Sequence, residues 1–139
     1  IVLPKGILKE LKENEIVNSL MVTDIGYYPK AKNHYRQRKE SLQHILIYCS
    51  DGEGWVEING KKQDVKKNEY IIILAHTFHK YGANNQNPWS IYWIHFTGTK
   101  SHILINHPNE KITIDLTTNS RFKDRILLFE EIYNIRFYT

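Results

Sequence analysis

The stretch "HILIYCSDGEGWVEINGKKQDVKKNEYIIIL", His44–Leu74, decides the fold class. It opens with a continuous apolar and β-branched run, "HILIYCS", the pattern of a buried strand. "DGEG" follows as a turn, and "WVEING" then alternates apolar and polar residues, as a half-buried strand does. Asn59-Gly60 is a tight hairpin turn, because both residues tolerate the positive φ that a two-residue hairpin loop requires. "KQDV" alternates again, "KKNE" turns, and "YIIIL" reads as a second buried strand. Short strands separated by closely spaced turns predict an antiparallel sandwich or barrel rather than a βα unit.

The same rhythm continues on both sides. Downstream, "HKYGA" reads as a short strand, "NNQNP" as a loop and "WSIYWIHFTG" as a long strand. Upstream, "SLMVTDIGYYP" (Ser19 to Pro29) reads as a strand, and "KAKNHYRQRKESLQ" as an exposed strand or loop. After Gly98 the pattern changes. "TKSHILINH" fits a short helix capped by Thr99. "KITIDL" fits one more strand, and "RFKDRILLFEEIYNIRFYT" a helix. On that helix Phe122, Ile126, Phe129, Tyr133 and Phe137 fall on one face, while Leu128, Ile132 and Ile135 form a second apolar stripe. Two apolar sides need two covering surfaces, one being the β-structure and the other a partner or further chain. The pattern reaches Thr139 without a Gly or Pro stop signal, so the sequence is expected to be a piece of a longer protein.

Composition narrows the function classes. The 139 residues suit one domain with a real core. Nineteen basic against fifteen acidic residues leave a formal charge of +4, and apart from "RQRK" (Arg36 to Lys39) the basic residues are scattered. That distribution argues against a nucleic-acid surface, which needs a clustered basic stripe. Cys49 is the single cysteine, which excludes an intrachain disulfide; it reads as a small buried hydrophobe in a reducing compartment. The start of the chain lacks a signal-peptide pattern, and no apolar run has the length of a membrane span, so a cytoplasmic location is expected.

The segment Tyr35 to Gly98, together with the upstream "VTDIGYYPKAKNHYRQR", resembles the N-terminal, cupin-type, sugar-sensing domain of the AraC family of bacterial transcription regulators. "GEGWVEING", "HKYGA" and "PWSIYWIHFTG", in this order and at these intervals, carry the resemblance. It implies a mainly β fold, a cupin-like antiparallel β-barrel (jelly roll) that binds an effector inside, followed by C-terminal α-helices that dimerise. The expected organisation is an arm over residues 1–20, the barrel over 21–118 and the start of the dimerisation helices over 119–139. The implied partners are a small-molecule effector, most simply a carbohydrate, and a second copy of the chain. DNA would be bound only through a C-terminal pair of helix-turn-helix units not contained in this sequence, and no membrane is involved. No cofactor is implied.

If "WSIYWIHFT" is a strand, Trp89, Ile91, Trp93 and His95 share one face, and Ser90, Tyr92, Ile94 and Phe96 the other. The first face is expected inside the barrel and the second under the C-terminal helix. A tryptophan in a cavity provides a flat apolar plate for the C–H face of a pyranose, and an arginine fork matches vicinal hydroxyls or a carboxylate. By resemblance to the family's founding member, Trp93 is the stacking plate, Tyr81 the tyrosine beside it and Arg38 a ligand-contacting arginine. Ile91 stands where that protein has a ligand-contacting histidine, and His95, two positions on, is a candidate replacement donor. His79, at the position of the second cupin motif's histidine, joins the candidate ligand contacts. Leu128, Ile132 and Ile135 are the candidate dimer contacts. Trp55 reads as structural, and Trp89 as a plug at the barrel end.

The alternative is a metal-dependent cupin enzyme. A catalytic metal needs at least three convergent protein ligands. Only His44 and His79 stand near cupin motif positions, and Glu53 and Glu57 are out of register, so no metal site is expected. No strained Ser elbow or Gly-rich phosphate loop is present, so the chain is not expected to be an enzyme.

Overall fold

The computed structural model describes Lys5 and residues 20–105 and 107–114. Nine strands run through the described residues: β1 Met21–Tyr28, β2 Tyr35–Arg38, β3 His44–Asp51, β4 Glu53–Ile58, β5 Lys61–Lys66, β6 Glu69–Ile73, β7 His79–Ala83, β8 Ser90–Thr97 and β9 Ile112–Thr113. They form a five-stranded sheet in the order β1-β8-β3-β6-β9 and a four-stranded sheet in the order β2-β7-β4-β5. Every pairing between these strands is antiparallel.

The decisive stretch folds as its pattern requires. Asn59 (φ 49°) and Gly60 (φ 84°) both take positive φ, and Ile58 pairs with Lys61 across the turn. The apolar residues of both sheets meet in one core: Ile45, Ile47, Ile71, Ile73 and Ile91 from the first sheet, and Val56, Ile58, Val65, Tyr81 and Ala83 from the second. Alternation puts these side chains on the inner faces, and burying them supplies the main stabilising term. Cys49 lies in the same core; burial pushes its thiol up to about 12, so it is an inert hydrophobe.

Trp89 is completely buried, its ring set against Gly54 and its indole N–H donating to His34 Nδ1 at 3.2 Å. Trp55 lies outside this core, with the Lys62 ammonium 4.9 Å from its ring centroid.

Two irregularities set the inner faces. In β1 the register with β8 slips between Val22 and Asp24. Beyond the slip Asp24, Gly26 and Tyr28 stand opposite His95, Trp93 and Ile91. Such an extra residue bends a strand and re-aims the side chains after it. In β3 a second slip lies between Cys49 and Asp51. The intervening Ser50 hydroxyl donates to the Ser90 carbonyl at 3.1 Å.

The segment after Gly98 departs from expectation. It forms a 3₁₀ turn over Ser101–Leu104 with Lys100, not Thr99, at its cap and no side-chain capping bond. Ser101 instead holds the turn, its hydroxyl donating to the Gly98 carbonyl at 2.9 Å. Of "KITIDL", Ile112–Thr113 pairs with β6. The expected arm (residues 1–20 apart from Lys5 and Leu20) and the expected helices over 119–139, with Leu128, Ile132 and Ile135, lie outside the described residues. Among the described residues no helix is long and apolar enough to cross a membrane.

Candidate functional site

One end of the inter-sheet space is not filled by apolar side chains. It holds a cavity of about 140 Å³ whose walls come from β1, β2, β3, β7, β8 and the loop before β2. Strand β8 contributes Ile91, Trp93 and His95, the inward positions of its alternation. Tyr81 of β7 and Arg38 of β2 face the same space. Five of the six candidate ligand residues thus line one cavity. The sixth, His79, does not line it; it is fully buried and stacks flat on Tyr81, with 6.0 Å between ring centroids and 3° between planes.

The Trp93 ring lies directly over Gly26 on the neighbouring strand. A Cβ placed on Gly26 would stand 2.0 Å from Trp93 Cζ2. The missing side chain is therefore the bed on which the indole lies, exposing one ring face to the cavity. The opposite face of β8 is packed differently: Tyr92 stacks on Tyr27 at 4.3 Å, and Phe96 meets His44 at 5.4 Å.

Five further lining residues complete the walls: Asp24, Tyr28, His34, Arg36 and Ile47. Asp24 and Tyr28 flank Gly26 at two-residue spacing on β1, and Arg36 precedes Arg38 by two on β2. That spacing is the one signal in the sequence that could have found them. His34 is fixed by its bond from Trp89, 55 positions away, which no local pattern reveals.

The histidines and the tyrosine in and beside the cavity have shifted protonation. Because the Trp89 indole donates to His34 Nδ1, that nitrogen carries no proton and Nε2 does. Burial lowers the pKa of His34, and the Arg36 charge lowers it further. Burial also lowers His95; Asp24, whose Oδ2 is 3.7 Å from His95 Nδ1, pulls it back up, and Arg38 and His79 push it down again. His79 is lowered by burial, against the raising effect of its bond to the Thr77 carbonyl (2.9 Å). Burial raises the Tyr81 hydroxyl, while the Arg38 and Arg36 charges oppose that rise. Near neutral pH the imidazoles are neutral and Tyr81 keeps its proton, so they present hydrogen-bonding groups rather than charges.

Among the described residues two buried polar atoms are left without a partner, Arg38 Nη1 and His79 Nε2, on residues that pair across β2 and β7. Since His79 Nδ1 donates to a carbonyl, its Nε2 is an acceptor, whereas Nη1 is a donor. Unpartnered buried groups of this kind are costly, at about 1–3 kcal/mol each.

The depressed histidines make part of the stability depend on pH. An unfolded histidine takes up its proton near 6.5, whereas His34, His79 and His95 do so only at lower pH in the folded chain. The unfolded state therefore binds more protons in that window. Their contribution to stability is complete above about pH 6.5 and is lost as pH falls through the folded values. Urea midpoints should be flat from pH 8 to 7 and decline below about pH 6.5; a midpoint that rises on acidification would contradict this.

Among the described residues no group of three or more His, Cys, Asp or Glu is placed to hold a metal ion. The two histidines near cupin motif positions are engaged elsewhere. His44 Nδ1 accepts from the Ala75 amide at 2.9 Å, and His79 Nδ1 bonds the Thr77 carbonyl.

The MmsAB operon regulatory protein of Pseudomonas aeruginosa is 28% identical over 100 residues, which cover 69% of this chain and 33% of that protein. The chain thus matches about a third of the length of that relative. Among solved structures, YhaK from Escherichia coli superposes with a TM-score of 0.53 at 11% identity, covering 72% of this chain and 45% of that one. This likeness concerns the fold alone. A cupin protein from Bacteroides fragilis overlays with a TM-score of 0.46 at 14% identity, covering 60% of this chain and 69% of that one. The model of the AraC-like ligand binding domain matches residues 24–105, a span that holds every residue lining the cavity. The chain belongs to the AraC-like ligand binding domain family.

Proposed function

We propose that this chain is the effector-sensing and dimerising part of an AraC-type transcription regulator, working in the cytoplasm. A small molecule, a carbohydrate or close derivative, enters the cavity and lies on the exposed face of Trp93. Arg38, Tyr81 and His95 fix its polar groups, Ile91 gives it an apolar wall, and His79 supports Tyr81 from behind. The single observation that carries this reading is the indole laid flat on Gly26 and framed by those polar groups. A plain core position would need no glycine bed and would leave no polar-lined space beside the ring.

Residues 1–20 act as an arm, 21–118 as the sensing barrel and 119–139 as the start of the dimerisation helices, with Leu128, Ile132 and Ile135 between two copies. DNA is read by a helix-turn-helix region of the whole protein. The match to a protein named as an operon's regulator supports this role. It also supports a sensor rather than an enzyme. Ligand binding regulates because two arrangements of arm or helix differ in ligand affinity.

Titrating the chain with a panel of monosaccharides and their derivatives should quench tryptophan fluorescence saturably with at least one of them. Trp93→Ala should weaken that ligand about tenfold, the equivalent of about 60 Å² of stacked apolar surface. A panel in which no compound changes the fluorescence or the melting temperature overturns the carbohydrate assignment, though not a sensor of another ligand. Unchanged affinity in Trp93→Ala overturns the role of the plate.

A further inference from the structure

The charge balance of the cavity narrows the ligand class. Two guanidiniums, Arg36 and Arg38, stand two residues apart on the same face of β2, and both line the cavity. One carboxylate, Asp24, lines it with them, and that group lies against His95. Among the described residues no carboxylate is within ion-pair distance of either guanidinium. Arg36 is exposed and so stands at the rim; Arg38 lies deeper, with its Nη1 buried and unpartnered.

Each hydroxyl of a neutral polyol donates as well as accepts. The two guanidiniums are donors only, in a planar fork, and a carboxylate is acceptor only with the matching geometry. Such a pair is bidentate, and its charge-assisted bonds are roughly twice as strong as neutral ones. The remaining lining suits hydroxyls and a short carbon chain: Asp24, Tyr81 and His95 for the former, Trp93 and Ile91 for the latter. The volume of about 140 Å³ is close to that of a dry cavity of about 150 Å³ that holds benzene, so the occupant is no larger than a single sugar.

We propose that the effector is a small hydroxycarboxylate, a sugar acid or shorter hydroxy acid, whose carboxylate pairs with Arg38 and is attracted past Arg36. This rests on the sensing reading above and sharpens it.

The test is calorimetric titration of the 139-residue chain at fixed ionic strength with matched acid and neutral probes: D-gluconate and D-glucitol, D-galacturonate and D-galactose, D-glycerate and glycerol. In at least one pair the acid should bind about tenfold more tightly or better. Arg38→Gln should bring that pair to within about threefold, and Arg38→Lys, which keeps the charge, should preserve part of the preference. Arg36→Gln, at the rim, should remove a smaller share, which gives a second reading should the Arg38 variants not fold. A neutral probe that binds as well as its acid in every pair that binds overturns the carboxylate assignment and leaves the sensing reading intact. No binding by either member of any pair overturns the carboxylate assignment, while the separate monosaccharide panel decides the carbohydrate reading.

Discussion

Gly26→Ala should abolish ligand binding while leaving the domain folded. The added methyl would stand 2.0 Å from Cζ2 and 2.4 Å from Cε2 of Trp93, atoms of a rigid ring rather than the end of a flexible chain. Something must move. Gly26 and Trp93 are direct partners in the β1–β8 ladder, so their backbones are held, and the indole is the part that yields. Its free direction is the cavity, which is small enough for one displaced indole to occupy much of it. Affinity for any cavity ligand should fall at least about hundredfold, equivalent to about 2.7 kcal/mol. The fold should lose about 1–3 kcal/mol through overpacking. Titration and urea denaturation of the same preparation separate the two effects. Affinity within about threefold of the unmodified chain would show that the ring's seat on Gly26 is irrelevant to binding.

Trp89→Ala should produce the largest loss of stability. Trp89 is completely buried in the core where the two sheets meet. Truncating a buried tryptophan costs about 3–5 kcal/mol. Here the substitution also strips His34 Nδ1 of its donor. The sum approaches the whole stability of an ordinary domain, about 5–15 kcal/mol. The variant should therefore be largely unfolded or melt far below the unmodified chain. Trp89→Phe keeps most of the ring and loses the N–H, so it should cost about 1–2 kcal/mol. A loss below about 1 kcal/mol for Trp89→Ala would mean that the barrel end is not packed around this ring.

The strands that alternate apolar and polar residues were legible, because that pattern is what a half-buried strand requires. Strands β4 and β5 carry it, and β3, β6 and β8 carry instead the continuous apolar run of a buried strand. Strand β2 carries neither: its inward residues are Arg36 and Arg38, polar like its outward ones, because it walls a polar cavity. It therefore reads as loop or exposed strand. On β2 the cavity is thus what erased the local signal, whereas β1 was legible over Ser19 to Pro29 although its inward positions Asp24 and Gly26 carry a carboxylate and no side chain at all. Trp93, Ile91 and His95 could be placed together because they share one strand, and Tyr81 and Arg38 through family resemblance. His34 could not, since it owes its place to a bond from Trp89. The 3₁₀ turn at Ser101 misled because a Thr before a short apolar run resembles a cap, whereas Ser101 bonds back to Gly98 and closes the turn from within.

The central claim is that the cavity beside Trp93 is where an effector binds. The three tryptophans make it directly testable by indole ¹H–¹⁵N resonances, since each occupies a distinct setting. Trp93 lines the cavity, Trp89 is sealed in the core against His34, and Trp55 lies outside under Lys62. On titration with a compound that raises the melting temperature, the Trp93 signal should shift most and saturably, with Trp55 unmoved. A ligand that stabilises the chain while Trp93 stays still, or that moves Trp55 alone, would place binding elsewhere and contradict the account.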